Sequence, residues 1–165
     1  MQVFSIEVSD IFRTILAAAT PVGELRLAIP LAVYVYKMQW YEAFILGVCG
    51  NMIPVFFLVG TLDRIERVLE RFPNPFLSIL RWRADKLRAA QTPKFERYQF
   101  VALVALVAIP LPGTGAWTGA LAAWVFQIQP RRAIPLIALG VLIAGVIVTS
   151  ITILGSGLAS FFLKV

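Results

Sequence analysis

The sequence predicts an all-α integral membrane protein, built as an inverted repeat of two re-entrant helical hairpins that are each followed by a transmembrane helix. Three observations lead to this fold class. The 165 residues are 59% hydrophobic with a mean hydropathy of +0.83, well above the composition of ordinary globular chains. Two of the four long apolar runs contain clusters of proline and glycine near their middles. The two halves of the chain also resemble each other in sequence.

The reactive side chains available exclude several classes of function. Histidine is absent and Cys49 is the one cysteine, so intrachain disulfides, zinc clusters, Cys–His pairs and Ser-His-Asp triads cannot form. We therefore expect no enzyme activity, no metal and no cofactor. The net charge of +6 matches anionic lipid better than nucleic acid on so apolar a background. The first ten residues contain Glu7 and Asp10 without Lys or Arg, so a cleavable signal peptide is not predicted.

The first apolar run, at about 11–36, is predicted to fold as a re-entrant hairpin. Its middle reads ATPVGELRLAIPL and contains Pro21, Gly23 and Pro30. Proline removes a backbone donor, and a bent backbone at membrane depth must be buried in protein or line a water-filled cavity. The next run, 41–61, is long and apolar enough to form an ordinary spanning helix.

The middle of the chain, residues 62–99, is charged and is predicted to form amphipathic cytoplasmic helices. In DRIERVLERF the apolar residues recur at helical spacing, and FLSILRWRADKLRAA combines apolar residues with a basic face. This composition suits the headgroup region of the membrane. The segment either senses anionic lipid or is a solvated linker whose charge fixes the topology. Neither interpretation makes it catalytic.

The second broken run, at about 100–127, is predicted to form the second re-entrant hairpin. A second spanning helix follows at 133–152, and residues 153–165 extend it. The sequence AIPLPGTGAWTGA argues against a continuous helix through this run, since it contains Pro110, Pro112, Gly113, Gly115 and Gly119.

A shift of 90 residues aligns the two halves without a gap and gives eleven identities. The hairpin breaks and the order of the spans match as well, which supports a true repeat. We therefore expect one membrane domain over 1–165, with repeat 1 at about 11–61 and repeat 2 at about 100–152. The identical pairs include Gly23 with Gly113, Gln39 with Gln129 and Gly50 with Gly140.

The distribution of Lys and Arg predicts how the halves are oriented. These residues concentrate in 62–99 and recur at Arg131 and Arg132, and such segments are typically cytoplasmic. If 100–127 crossed the membrane fully, the two groups would lie on opposite sides, whereas a re-entrant hairpin returns them to the same side. Each half then has an odd number of crossings, which inverts the second half. The prediction is a multi-pass protein of the inner (cytoplasmic) membrane, with both termini and the 37–40 turn outside.

Two charged residues, Glu24 and Arg26, lie inside the first broken run. An ionisable group at membrane depth is costly, so its default interpretation is functional; alternatively the two residues pair with each other or cap the half-helices. The second hairpin instead offers hydroxyl groups and freed backbone amides, which suit an anion or ion near half-helix ends. The candidate substrate and proton site comprises Glu24, Arg26, Pro21, Gly23, Pro30, Asn51, Pro110, Pro112, Gly113, Thr114, Gly115 and Thr118.

Three further residues have two interpretations each. Asn51 is a polar residue within the apolar first span. Its side chain either lines the same cavity or forms a hydrogen bond with a neighbouring helix. Trp117 and Trp124 are assigned to packing or to anchoring at the membrane interface. The alternative is that the two tryptophans form an apolar surface for substrate.

The segments PVGELRLAIPLAV, GNMIPVFFL and AIPLPGTGAWTGALAAWVF together resemble the bacterial and archaeal small multidrug export protein family over almost the full length. The likeness implies that Glu24 and Arg26 form its Glu-x-Arg hairpin motif and that Pro110 to Gly119 form its Pro-Leu-Pro-Gly-Thr-Gly hairpin. That family is similar in plan to the DedA group, whose opposed re-entrant hairpins are implicated in proton-coupled transport and in flipping undecaprenyl phosphate. The arginines expected around the second DedA hairpin are not found, apart from Arg131 and Arg132 beyond it.

These features together predict a small, proton-coupled inner-membrane transporter, which exports or translocates a small or amphiphilic solute between the hairpin tips. Glu24 would titrate the proton, and Arg26 would contact an anion or balance the charge. The alternatives are a lipid flippase or scramblase for a polyprenyl phosphate or phospholipid, and a non-transporting membrane assembly factor. The expected partners are membrane lipid, anionic headgroups at 62–99 and further copies of the chain, with a homodimer favoured.

Overall fold

The protein is all-helical in the part of the chain that the structure describes, as the sequence predicts. The computed structural model describes residues 7–69, 93–111 and 114–162. These residues form six helices and no strand. In chain order the helices are α1 (Val8–Ala19), α2 (Glu24–Tyr34), α3 (Trp40–Leu69), α4 (Pro93–Ala108), α5 (Ala116–Val125) and α6 (Pro130–Phe162).

Two of the helices, α3 and α6, are long and apolar enough to cross a membrane, judged by length and composition. The apolar stretches are Trp40–Leu62 in α3 and Pro130–Gly155 in α6, and these two candidate spans match the predicted ones in position and length. Helix α3 continues without a break to Leu69, so the predicted amphipathic stretch begins as an extension of the span. The rest of that linker, at 70–92, lies outside the described residues.

The chain reverses direction between α1 and α2. The Thr20 hydroxyl accepts a hydrogen bond from the Gly23 N–H at 3.2 Å and donates to the Ala17 carbonyl at 2.8 Å, which closes the turn. The Thr14 hydroxyl lies 3.9 Å from the Met38 sulfur, so the end of α2 has returned alongside α1. Pro30 lies inside α2, which continues past it to Tyr34; the break is therefore confined to residues 20–23.

A second reversal separates α4 from α5. Helix α4 begins at Pro93, a favourable first position because proline has no N–H to leave unpaired there. It ends at Ala108, ahead of the PLPGTG segment. Phe100, midway along α4, lines the same cavity as Phe126, which follows α5. The chain has therefore turned back between the two helices, as it does between α1 and α2.

The turn after α2 and the turn after α5 lie at opposite ends of the helical bundle. The Tyr34 hydroxyl, at the end of α2, donates to the Thr152 carbonyl of α6. Helix α6 begins at Pro130, and its rise from there to Thr152 is roughly 33 Å at about 1.5 Å per residue. Val59, far along α3, lines a cavity with Pro130. The two turns are thus separated by about the thickness of a hydrocarbon core, roughly 30 Å.

Helix packing follows the same scheme in both halves. In the first half α1 packs on α2 and α3, and in the second α4 packs on α5 and α6. The halves also interlock, because α2 packs on α6, α5 packs on α3, and α3 packs on α6. Exchanging α1 with α4, α2 with α5 and α3 with α6 leaves this set of contacts unchanged. The turns match too, since Lys37 and Gln127, 90 residues apart, both have φ 56°.

Small residues let the short helices approach the long ones closely. A Cβ at Gly50 of α3 would lie 2.8 Å from Ala18 Cβ of α1, and one at Gly140 of α6 would lie 2.6 Å from Val107 Cβ of α4. Close backbone approach through small residues is the usual packing mode of membrane helices. The buried alanines of the described residues are Ala18, Ala28, Ala32, Ala43, Ala108, Ala116, Ala120, Ala123, Ala133 and Ala144.

Each half contains one contact between a glycine and an isoleucine at equivalent positions of the repeat. The helix that carries the glycine in one half carries the isoleucine in the other. A Cβ at Gly47 of α3 would lie 3.1 Å from Ile29 Cγ1 of α2, and a Cβ at Gly119 of α5 would lie 3.6 Å from Ile137 Cγ1 of α6. Gly47 corresponds to Ile137, and Ile29 corresponds to Gly119. Such an exchange keeps the packed volume constant, which close-packed interiors require.

Candidate functional site

Glu24 occupies the tip of the first hairpin. It is the first residue of α2, immediately after the turn that Thr20 closes, and its side chain is buried, at 7% exposure. Its φ of 48° lies in the left-handed region, which is uncommon for residues other than glycine. Strained backbone of this kind persists where surrounding contacts fix it, and it concentrates at functional sites.

The Glu24 carboxylate binds the tip of the second hairpin. Its Oε2 accepts a hydrogen bond from the Ala116 N–H and its Oε1 from the Trp117 N–H, both at 3.3 Å. These two N–H groups belong to the first turn of α5, whose amides have no partner within the helix. A carboxylate there also interacts favourably with the positive end of the helix dipole. One side chain therefore caps a helix more than 90 residues away in sequence.

Gly115 makes this approach possible. Its φ of 134° is open to glycine and strained for other residues. A Cβ at this position would overlap Oε2 of Glu24. The absence of a side chain at Gly115 therefore allows the backbone to turn into α5 and leaves room for the Glu24 carboxylate.

Trp117 provides a third link between the two tips. Its indole Nε1 donates to the Ala19 carbonyl at the end of α1, at 3.1 Å. The first turn of α5 thus contacts both sides of the first break, Ala19 before it and Glu24 after it. The sequence predicts packing, anchoring at the membrane interface or an apolar surface for substrate as the role of Trp117, and it does not predict this bond. The available signal was the general need of a buried indole N–H for a partner.

Arg26 does not pair with Glu24. Its guanidinium donates to the Val22 carbonyl at 3.2 Å, and among the described residues the one ion pair joins Arg13 to Asp10. Of the two structural roles that the sequence left open for these charges, the geometry therefore matches capping rather than pairing. The Glu24 carboxylate of the first hairpin caps α5 of the second hairpin, and not a helix of its own hairpin.

Thr114 holds the position in the second hairpin that Glu24 holds in the first, and it acts locally. Its hydroxyl accepts from the Leu111 N–H at 3.1 Å and lies 2.6 Å from the Ile109 carbonyl, to which it donates. It closes its own turn and does not cap α2. The half-buried Thr118 lies in the first turn of α5 and Pro110 lies just beyond α4; Pro112 and Gly113 lie outside the described residues.

Asn51 lies in α3 at the level of the first break. Gly47, one turn before it, lies against Leu25, and Gly50 lies against Ala18, so both flanks of the break are beside this stretch of α3. Asn51 is buried, at 1% exposure, and its Oδ1 has no hydrogen-bond partner. A buried unpaired carbonyl oxygen is costly, and such groups invite a functional explanation.

The chemistry that this arrangement supports is charge-assisted hydrogen bonding between a carboxylate and the N–H groups of a helix N-terminus. Within the described part of the chain no group of His, Cys, Asp and Glu side chains could hold a metal ion. The two cavities that border the turn at 126–130, of about 150 and 170 Å³, are not lined by Glu24. Sequence reasoning missed those cavities, although the matched pair Gln39 and Gln129 marks the turns concerned.

Comparison with known proteins gives a family. The sequence model of the family described as "Putative small multi-drug export protein" matches residues 24–147, which is more than half of the chain. The matched region begins at Glu24 and includes α2, α3, α4, α5 and about the first half of α6. The match confirms the resemblance seen in the hairpin motifs. Neither a curated protein nor a solved structure matches the chain.

Proposed function

The chain belongs to the small multidrug export family, and from that premise we propose that it is a proton-coupled transporter of the inner membrane that moves a small or amphiphilic solute. The family and the two long apolar helices indicate a membrane location. The observation that carries the proposal is the buried Glu24 carboxylate, which joins the two hairpin tips by capping α5. Because this ionisable group itself forms the contact between the hairpins, a change in its protonation changes the strength of that contact.

The proposed coupling step is competition for the N-terminus of α5. Ionised, Glu24 binds the Ala116 and Trp117 N–H groups and holds the tips together. Protonation leaves a neutral carboxyl group, a weaker acceptor than a carboxylate, so the tips separate. A polar or anionic group of the solute then takes the freed N–H groups. Because linkage is reciprocal, solute binding in turn favours protonation of Glu24.

The topology we propose is that of two re-entrant hairpins in an inverted repeat. It is supported by the reversals at both breaks, by the turns at opposite ends of α3 and α6, and by helix contacts that are unchanged when the halves are exchanged. Irregular backbone at the tips would then be buried between the hairpins, as a membrane requires. Residues 62–99, Arg131 and Arg132 would face the cytoplasm.

The remaining proposals concern partners. We propose that membrane lipid surrounds the protein and that anionic headgroups bind at 62–99. We propose no enzymatic step. A chain of 165 residues encloses little volume for a solute by itself. We therefore propose that copies of the chain assemble, and a C2 dimer is the simplest closed arrangement.

Reconstituted transport tests the proposal. Full-length protein is placed in liposomes that contain a pH-sensitive dye, a pH gradient is imposed, and ethidium is added as an amphiphilic probe. We expect the wild type to move ethidium and to dissipate the gradient faster in its presence. Glu24→Gln should fold, as judged by an unchanged elution profile, and lose both effects, because the amide cannot exchange a proton.

Glu42→Gln is the matched control for the same chemical change. Glu42 accepts from the Gln39 N–H at 2.9 Å, outside the hairpin tips, so this variant should keep coupled transport. Full activity in Glu24→Gln would remove Glu24 from the mechanism. Movement of a fluorescent phospholipid by the wild type, with no movement of ethidium or protons, would replace the transporter by a lipid flippase.

A further inference from the structure

A second polar site lies at the end of the bundle where α5 turns into α6. A cavity of about 170 Å³ opens there between α4 and the turn at 126–129, and its polar lining comes from Gln99, Gln127, Gln129 and Arg132. Glu24 and the hairpin tips do not line it. An inference about this cavity is therefore independent of the transporter proposal.

Gln99 presents an unused donor to the cavity. Its side chain is buried, at 8% exposure, and its Nε2 has no hydrogen-bond partner. Buried polar atoms are paired in the great majority of cases, and leaving one unpaired is costly. By contrast the Gln127 Nε2 donates to the Trp124 carbonyl at 3.2 Å. The lining thus contains a buried N–H group that is free to bind an acceptor.

The adjoining N-terminus of α6 is arranged for an anion. Its first turn contains no acidic residue, and Arg132 of that turn lines the cavity. Basic residues at a helix N-terminus oppose the helix dipole. In the first half the equivalent position is Glu42, which caps the turn before α3 by accepting from the Gln39 N–H. Arg132 replaces that carboxylate, so the positive end of α6 lacks the acidic cap that α3 has.

Arg132 is positioned beside the cavity by an aromatic ring. Its guanidinium carbon lies 5.9 Å from the centroid of Phe100, within the range of a cation–π interaction. A guanidinium held in this way presents donors in a fork that matches phosphate oxygens. Arg132 and the dipole of α6, together with the Gln99 amide on α4, thus direct positive potential and hydrogen-bond donors into the same cavity from two helices.

We propose that this cavity binds an anionic phosphate group, held by the Gln99 amide and the Arg132 guanidinium at the N-terminus of α6. The phosphate belongs either to an anionic lipid headgroup or to a free phosphate ion, since both present the same oxygens. In the orientation proposed above, this end of the bundle lies at the cytoplasmic surface, where anionic headgroups are available.

Thermal unfolding of the full-length protein in neutral detergent tests the site. Phosphatidylglycerol is titrated in one series and sodium phosphate in another, against sodium chloride at equal ionic strength. We expect a rise in the unfolding midpoint that saturates. Arg132→Gln and Gln99→Leu should weaken the apparent affinity by about tenfold or more, since each removes a hydrogen bond to a charged group. A rise with phosphatidylglycerol alone identifies a lipid headgroup, and a rise with both identifies phosphate as sufficient.

Arg131→Gln is the matched control, because it removes the same charge from the same helix turn at a residue that does not line the cavity. It should keep the wild-type affinity. If Gln99→Leu does not fold, Gln99→Glu puts a negative charge of similar shape at the same place and should abolish the response. The proposal is overturned if neither ligand stabilises the wild type, or if Arg131→Gln and Arg132→Gln weaken binding equally.

Discussion

At the scale of single residues, the centre of the molecule is the contact between Glu24 and the start of α5. Sequence reasoning identifies Glu24 because a carboxylate between Pro21 and Pro30 has no place in an ordinary spanning helix. It does not identify the partner, because Ala116 and Trp117 bind through backbone N–H groups, which carry no signature in the side-chain sequence. The same is true of Gly115, whose φ of 134° depends on the turn that the chain makes.

Gly115→Ala should destabilise the protein by roughly 2–4 kcal/mol, because it strains the backbone and displaces the Glu24 carboxylate. The measurement is the midpoint of thermal unfolding in detergent, converted to free energy. A double-mutant cycle separates the two causes. In a Glu24→Gly background the overlap is gone, so Gly115→Ala should cost less there, by about 1 kcal/mol or more. Equal costs in both backgrounds would mean that the carboxylate does not occupy the place described.

At the scale of helices, the sequence predicts both breaks and the continuous spans through Pro54 and Pro135, but it extends the first break too far, to Pro30. The clusters at 20–23 and after Ala108 do end helices, whereas Pro30, Pro54 and Pro135 lie inside them. A lone proline removes one backbone hydrogen bond, and packing in a bundle compensates for that loss. Packing is not visible from the sequence, so the extent of α2 and the continuation of α3 to Leu69 were not predictable.

Gly50→Ala should loosen the packing of α1 on α3. Its Cβ would lie 2.8 Å from both the Ile15 carbonyl oxygen and Ala18 Cβ, and overpacking of this kind costs about 1–3 kcal/mol. Gly60→Ala in the same helix is the control, since nothing lies within 4 Å of a Cβ there. That variant should be neutral, or more stable by up to about 1 kcal/mol from helix propensity. The measurement is the thermal unfolding midpoint of the two variants. A similar loss of stability in both would contradict the close approach of α1 to α3 at Gly50.

At the scale of the whole molecule, two halves of related sequence interlock through α3 and α6. The 90-residue shift in the sequence corresponds to equivalent turns at Lys37 and Gln127 and to equivalent helix contacts. Periodicity and composition predict the matching spans and breaks, because these are local features, whereas the helix contacts follow from packing and are not predicted by them. The chemical difference between the halves follows from single substitutions within the repeat, Thr114 for Glu24 and Arg132 for Glu42. Each places one of the two proposed sites in a half of the chain, at a position where the other half has a different side chain.

The opposed orientation of the two halves is the central claim, and labelling of single cysteines tests it most directly. Gln39 and Gln129 are identical, exposed and 90 residues apart, and each lies in the turn before a long helix. With Cys49 replaced by Ala, each is changed to Cys and treated with a membrane-impermeant maleimide. We predict that Gln39→Cys reacts from the outside and that Gln129→Cys reacts only once the cytoplasmic face is opened. Reaction of both cysteines from the same side would contradict the inverted arrangement.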